Sequence, residues 1–139
     1  MQSLTKVEFM LPADYHHLAE ISAVIGVLCK QSPVFADETQ TVYNITLAIH
    51  EICNNIVEHA YFEKQGEIQI CLTLDAAARQ FIADLYDMGC QFDPSAVAMP
   101  DLSQPQEEGY GLFLAHQLMD EVHYERLGQQ NHWHLVKQQ

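Results

Sequence analysis

The chain has 139 residues, of which 48% are hydrophobic, and its formal net charge is −13 at neutral pH. This length is typical of one domain with its own core. Only six Lys and Arg residues occur, which argues against nucleic acid and anionic membranes as partners, since both bind clustered basic residues. The chain also contains neither an apolar run of roughly 18 residues, as a membrane span needs, nor a signal-peptide pattern at its start. We therefore expect a cytoplasmic protein.

Hydrophobic periodicity divides the chain into alternating strands and helices. In chain order, the predicted elements are a strand at 3–11, a helix at 14–31, a helix at 37–61, a strand hairpin at 67–87, a loop at 88–111, a helix at 112–121 and a hairpin with its turn at 128–131. Asp14 is predicted to cap the first helix, and Asp37 with Gln40 to form a capping box on the second. This order predicts a single α+β domain over 1–139, a two-layer sandwich with helices on one face of a mixed, mostly antiparallel sheet.

The long helix carries a polar row beside its apolar stripe. Glu51, Asn55 and His59 follow one another at intervals of four residues, so they share one flank of the helix. One interpretation is an ordinary solvated face. The other is a magnesium site, because an amide oxygen from Asn55 suits a hard cation and Glu51 one turn away can accept a proton.

Asp87, Met88 and Gly89 end the predicted strand hairpin. An Asp at the end of a buried strand can accept a hydrogen bond from an exocyclic amine such as that of adenine, and Gly89 would allow a close backbone approach. A plain Asp-x-Gly turn is the alternative.

Gly109, Tyr110 and Gly111 precede the helix that is predicted to begin at Leu112. Free N–H groups at a helix N-terminus attract anions such as phosphate. A flexible hinge between the loop and the helix explains the same glycines. The loop of about twenty residues before this point is long for so small a domain, which is typical of functional or disordered segments.

In this order, the three patterns resemble the N-box and the two glycine boxes of the ATPase superfamily that contains gyrase, heat-shock chaperones, histidine kinases and mismatch-repair proteins. Within that superfamily, the chain is similar to the anti-sigma-factor serine/threonine kinases of bacterial partner-switching systems. Three segments carry the closer resemblance: His59-Ala60-Tyr61, Phe92-Asp93-Pro94 and Leu118-Met119-Asp120-Glu121-Val122. The resemblance extends over roughly residues 5–137.

The resemblance implies a pocket for ATP and Mg²⁺, covered by a lid at about residues 95–110. It also implies that Asn55 coordinates the metal, that Asp87 binds the adenine, and that Glu51 is the catalytic base for a serine or threonine hydroxyl. The residues expected around the nucleotide are Asn55, His59, Asp87, Gly89, Phe92, Gly109, Tyr110, Gly111 and Leu112.

The sequence departs from the family pattern in two ways. Gln91 replaces a glycine of the first glycine box, which leaves the expected adenine contact in place. The other departure lowers the expected affinity for ATP, because Tyr110 stands where many relatives carry Arg. No Lys or Arg occurs between Arg79 and Arg126, so Mg²⁺ and the helix N-terminus would have to offset most of the charge of the phosphates.

The resemblance implies an anti-sigma factor that phosphorylates a STAS-domain anti-anti-sigma protein, with a sigma factor as its other partner and a homodimer as its assembly. The alternatives are a non-catalytic nucleotide-binding interaction module and, less favoured because no phospho-accepting helical domain is evident, the ATPase module of a histidine kinase or gyrase. A further pair, His132 and His134, is too weak a pattern to predict a zinc site by itself.

Overall fold

The computed structural model describes residues 4–93 and 110–139. Its elements are β1 (Leu4–Pro12), α1 (Leu18–Lys30), α2 (Thr39–Asn55), β2 (Glu67–Asp75), β3 (Gln80–Asp87), α3 (Tyr110–Leu118), β4 (Glu121–Leu127) and β5 (Gln130–Gln138). A short 3-10 helix at Tyr15–His17 precedes α1, and a π-helical segment at Ile56–Ala60 continues α2. The predicted lid at 95–110 lies outside the described residues except for Tyr110.

The five strands form one sheet in the order β1-β2-β3-β5-β4. Every pairing among them is antiparallel, so the described part of the sheet contains no parallel pair of the kind that a mixed sheet would have. Side chains alternate between the two faces because successive residues of a strand point to opposite sides. The predicted two-layer α+β fold is confirmed.

The core lies between the helices and one face of the sheet. We call that face the inner face and the opposite one the outer face. Ile45, Ile49 and Ile52 of α2 are fully buried, as the predicted apolar stripe requires. Strand residues of the inner face, such as Ile70 and Leu85, are buried as well. Each such side chain contributes about 1.5–3 kcal/mol by leaving water, so this layer fixes α2 on the sheet.

The helix ends differ from the prediction at three places. Asp14 caps the 3-10 helix, where its carboxylate accepts a hydrogen bond from the His16 N–H at 2.9 Å. The capping box at Asp37 is wrong, because α2 begins at Thr39 after Glu38 and no side chain caps it. The last predicted helix ends at Leu118 and not at 121, since Glu121 is already paired with Val136 in the sheet.

Among the described residues, no helix combines the length and the apolar composition that crossing a membrane requires.

Candidate functional site

Asp87 is a buried carboxylate at the end of β3. Only 2% of its surface is exposed. Its Oδ1 accepts hydrogen bonds from the Gly89 N–H at 2.9 Å and from Asn131 Nδ2 at 2.8 Å. Its Oδ2 is equally buried and has no hydrogen-bond partner among the described residues. A buried polar atom without a partner costs about 1–3 kcal/mol, and more when it is charged, so this oxygen is suited to a ligand that donates a hydrogen bond.

The pKa of Asp87 reflects two opposing influences. Burial is the larger one and raises the pKa above the ordinary value of an aspartate. The hydrogen bonds from Asn131 and Gly89 and the charge of Arg126 lower it. Burial thus favours the neutral form of Asp87, whereas its neighbours favour the charged form.

Asn131 holds Asp87 from the opposite strand. Its Nδ2 also donates to the carbonyl of Cys90 at 2.9 Å, and its Oδ1 accepts from Arg126 Nη1 at 3.0 Å and from the Tyr124 hydroxyl. Asn131 is only 1% exposed, so all four of its hydrogen-bonding positions must be met inside the protein. We call Asp87, Asn131, Tyr124 and Arg126 the base-end network, because Asp87 is the residue expected to bind the adenine base.

Arg126 donates hydrogen bonds to two backbone carbonyls next to this network. Its Nη1 donates to the carbonyl of Gly89 at 2.8 Å, and its Nε donates to the carbonyl of Gly128 at 2.9 Å. One of the six basic residues of the chain is thus used to fasten the turn after β3.

Gly89 meets the end of α2 at very short range. A Cβ atom at this position would lie 2.6 Å from the carbonyl oxygen of Ala60 and 2.7 Å from the Ala60 Cβ. The next residue, Cys90, donates its backbone N–H to that same carbonyl at 2.8 Å. The predicted close approach at Gly89 therefore exists, but its partner in the described structure is the protein's own helix.

Tyr61, which follows His59 and Ala60, also contacts this region. Its hydroxyl donates to the carbonyl of Glu67 at 2.8 Å and accepts from the Met88 N–H at 2.9 Å. This ring fixes the strand end beside Asp87 to the start of β2.

Glu51 and Asn55 of the predicted polar row lie on α2, but His59 lies in the π-helical segment that follows it. Asn55 is half-buried at the last turn of the α-helix, and its side chain forms no hydrogen bond with a described residue. His59 lies in the π-helical segment, which is wider than an α-helical turn, and its ring is largely exposed with Nε2 3.8 Å from Glu58 Oε2. π-helical segments of this kind often occur at functional sites.

Glu51 lies against the first turn of α3. Its Oε2 would be 2.6 Å from a Cβ on Gly111, so the carboxylate occupies the space that this glycine leaves open. Burial is the main cause that raises the pKa of Glu51 above its ordinary value, and the negative charge of Glu58 adds to it. A half-buried carboxylate with a raised pKa is a better proton acceptor once it is ionised.

A narrow cavity connects the two regions. Four predicted site residues, Asn55, His59, Asp87 and Phe92, line it together with Asn131 and Trp133. Its volume is about 10 Å³, which is the space of a single water molecule. A purine base can therefore enter only if a side chain moves. Phe92 is one of the lining side chains, and its ring packs edge-on against Trp133 at 5.1 Å.

The remaining predicted residues lie near α3. Tyr110 begins this helix, Gly111 faces Glu51, and Leu112 packs on the core. Gly109 lies outside the described residues. A second hollow of about 710 Å³ lies between Pro12 and Gly66. It contains none of the predicted residues and no buried unpartnered group, so the narrow cavity is the better candidate.

A model of the histidine kinase-like ATPase domain family matches residues 11–137. The chain belongs to this family.

Sequence reasoning alone misses the base-end network, because Asn131 falls in the predicted turn at 128–131. Its position one residue inside β5, where strand alternation points it to the inner face, is the signal that could have revealed it.

The chain is also similar to curated proteins. Serine-protein kinase RsbW of Bacillus cereus (strain AH187) is 32% identical over 130 residues, which cover 88% of this chain and 78% of that protein. Serine-protein kinase RsbW of Bacillus anthracis has the same identity and coverage. The chain is thus related to proteins named as serine kinases.

Solved structures support the fold. The crystal structure of the RsbU and RsbW domains of Rv1364c from Mycobacterium tuberculosis matches with a TM-score of 0.68 and 18% identity, over 96% of this chain and 32% of that longer chain. The histidine kinase domain from the Erythrobacter litoralis EL346 blue-light activated histidine kinase matches with a TM-score of 0.54 and 15% identity, over 99% of this chain and 68% of that one. At such identities the likeness concerns the architecture alone.

The chemical groups of the described cavity suit ATP, although the cavity must widen to admit it. The Asp87 Oδ2 that lacks a partner can accept a hydrogen bond from the amine of adenine. Asn55 offers an amide oxygen in the same cavity, and such oxygens are ligands that Mg²⁺ accepts. The donor set therefore agrees with the nucleotide that this ATPase family implies.

Proposed function

We propose that this protein is an anti-sigma factor that binds Mg-ATP and phosphorylates a serine or threonine of a STAS-domain anti-anti-sigma protein. The observation that carries the proposal is the buried, unpartnered Oδ2 of Asp87 in one cavity with Asn55, one helical turn from the half-buried Glu51. The relatives named serine-protein kinase RsbW support the reaction type.

The proposed roles follow from the chemistry of each side chain. Asp87 selects adenine through its exocyclic amine, and Asn55 holds Mg²⁺ by its amide oxygen. Glu51 accepts the proton of the acceptor hydroxyl, which its raised pKa favours. The bound nucleotide supplies the phosphoryl group. Gly109, Tyr110 and Gly111 would lie beside the phosphates at the start of α3.

Charge shapes the proposed binding. The protein has a net charge of −13, so a nucleotide that carries several negative charges is repelled unless a cation accompanies it. Arg126 is already engaged with Gly89 and Asn131. Nucleotide binding should therefore depend strongly on Mg²⁺.

The proposed partners are proteins of the transcription machinery. The acidic surface suits a basic region of a sigma factor, and such an association would weaken as salt is added. A protein with these partners would work in the cytoplasm. We also propose a homodimer that pairs through α1 and β1, since β1 is an edge strand and Met10 and Val27 are more than half exposed there.

A phosphotransfer assay tests the proposal. The purified protein is incubated with labelled Mg-ATP and the STAS-domain protein encoded nearest to it. We expect label on one serine or threonine, and a rate about 10²–10⁴-fold lower in Glu51→Gln, the loss typical of a removed general base. Glu38→Gln, which removes the same charge at an exposed position before α2, is the matched control and should transfer at the wild-type rate.

The second candidate is a non-catalytic module that binds nucleotide and holds a partner. The absence of Lys and Arg between Arg79 and Arg126 in the sequence favours it, because a lid without cations gives little support to a transferring phosphate. A stable complex with the STAS protein without any transfer of label would decide for this candidate. Wild-type transfer by Glu51→Gln would instead move the base elsewhere.

A further inference from the structure

The outer face of the sheet carries a compact group of metal-ligand side chains. His132 and His134 lie two residues apart on β5, so both point to this face. Asp84 on β3 is the residue paired with His134 across the ladder. The Asp84 Oδ1 atom lies 2.7 Å from His132 Nε2 and 2.7 Å from His134 Nδ1. Two neighbouring strands thus direct three ligand atoms to one point.

The dimensions of this group suit a metal ion. The three ligand atoms all lie within 4.8 Å of one another. Zinc binds nitrogen and oxygen at about 2.0–2.2 Å, which places the ligand atoms about 3.4 Å apart around a tetrahedral ion. The pairs that are now 2.7 Å apart need to separate by less than about 1 Å, which side-chain rotation can supply.

The surroundings of His132 are those of a metal ligand. Its other ring nitrogen, Nδ1, lies 3.0 Å from Glu125 Oε1, and its ring stacks on Tyr86 with a centroid distance of 4.4 Å. A carboxylate that binds the far nitrogen of a histidine fixes the ring and its tautomer in many metal sites. The side chains of His132 and Asp84 are 16% and 18% exposed, so water screens them only in part.

Other histidine–carboxylate pairs of the described residues lack this arrangement. His17 with Glu20 and His123 with Glu121 each join only two groups, at 3.3 Å, and both histidines are more exposed than His132. Among the described residues, Asp84, His132 and His134 are the group that brings three ligand atoms together.

We propose that Asp84, His132 and His134 bind one divalent transition-metal ion of the zinc class. Two imidazoles and one carboxylate favour zinc and its neighbours over Mg²⁺ and Ca²⁺, which prefer oxygen ligands. Three protein ligands leave a coordination position for water or another small ligand. The site is separate from the magnesium site proposed for Asn55, because it lies on the other side of the sheet.

Calorimetric titration with zinc chloride tests this site. The tag-free protein is titrated without nucleotide, in the presence of excess Mg²⁺ that occupies sites for hard cations. We expect one zinc ion per chain in the wild type. Glu125→Gln should bind zinc about 10–100-fold more weakly, as the loss of a carboxylate behind a ligand does, and His134→Gln, which removes a ligand, should lose more. His16→Gln, which changes an exposed histidine outside the sheet, is the matched control and should bind as the wild type does.

A second measurement does not depend on the variants being folded. Zinc added to the wild-type protein should shift the ring resonances of His132 and His134 in an NMR spectrum and leave those of His16 and His17 unchanged. The proposal fails if the wild type binds no zinc, if His134→Gln binds it unchanged, or if His16→Gln loses it equally. Zinc shifts confined to other histidines would also overturn it.

Discussion

The two ends of the proposed nucleotide site are built in opposite ways. At the base end, Asp87 and Asn131 share a buried network in which each polar atom but one has a partner. At the phosphate end, Glu51 and Asn55 are half-buried and form no hydrogen bond with a described residue. The base end is therefore organised by contacts within the protein, whereas Glu51 and Asn55 keep side-chain groups that a ligand could bind.

This difference separates stability from function. Side chains of the base end serve the fold as well as the ligand, because their removal leaves other buried groups unpaired. Side chains of the phosphate end cost the fold little when they change. Variants at the base end should therefore lose stability, whereas variants at the phosphate end should lose function and keep their stability.

Two asparagines give the largest expected contrast. Asn131→Ala removes the partner that Asp87, Tyr124 and Arg126 share and leaves the Cys90 carbonyl without its side-chain donor, so we expect the free energy of unfolding to fall by about 3 kcal/mol. Asn55→Ala should change it by less than about 0.5 kcal/mol but abolish the magnesium-dependent part of ATP binding. Urea denaturation and calorimetry measure the two quantities. A stable Asn131→Ala protein would show that the network does not organise the base end.

A nucleotide that differs from ATP at the exocyclic group of the base tests how Asp87 recognises it. Inosine triphosphate carries an oxygen where ATP carries an amine, so it would face Asp87 Oδ2 with a second acceptor. We expect the wild type to prefer ATP by at least about 100-fold, and Asp87→Asn, which presents an N–H₂ group, to lose this preference. Asp37→Asn, an exposed position, is the control and should keep it.

The same substitution should not harm the fold. Because burial raises the folded-state pKa of Asp87, its contribution to stability is present below the unfolded pKa and is lost as the pH rises through the folded one. At neutral pH the amide of Asp87→Asn avoids that loss, so the variant should unfold at the wild-type urea concentration or above it. A strongly destabilised variant would mean that the charge of Asp87, and not only its shape, holds the network.

Alanine substitutions at Gly89 and Gly26 compare a glycine that close packing requires with one that has free space around it. In Gly89→Ala the new methyl group collides with the backbone of Ala60, and we expect a loss of about 1–3 kcal/mol, as overpacking causes. Gly26 in α1 has no atom within 4 Å of the same position, so Gly26→Ala should stabilise the protein by about 0.5–1 kcal/mol. Thermal melting compares the pair. Equal melting temperatures would contradict the contact at Ala60.

The smallest effect concerns the pH dependence of transfer. Glu51 must be ionised to accept a proton, so kcat/KM should rise with pH through its raised pKa. Glu58→Gln removes the nearby negative charge that contributes to this rise in pKa, and the acidic limb of the profile should move to lower pH. A limb that stays in place would show that another group titrates.

The sequence predicted the elements whose side chains alternate or repeat locally. The hairpin of β2 and β3 and the row from Glu51 to Asn55 follow from such patterns, and both are present. Strand alternation places Asn131 on the inner face, but its contact with Asp87 does not follow from any local pattern, because the two residues are 44 positions apart in the chain. The wider turn at Ile56–Ala60 was also missed, since it carries the same residue types as an α-helix.

The order of the strands has a consequence for how the protein folds. β3 and β5 lie side by side in the sheet, but α3 and β4 separate them in the chain. Contacts between distant segments form slowly, because the chain between them must first be closed. If the bond between Asp87 and Asn131 forms after the rate-limiting step, Asn131→Ala should accelerate unfolding and leave the refolding rate nearly unchanged. The base end would then be the last part of the site to form and the first to open.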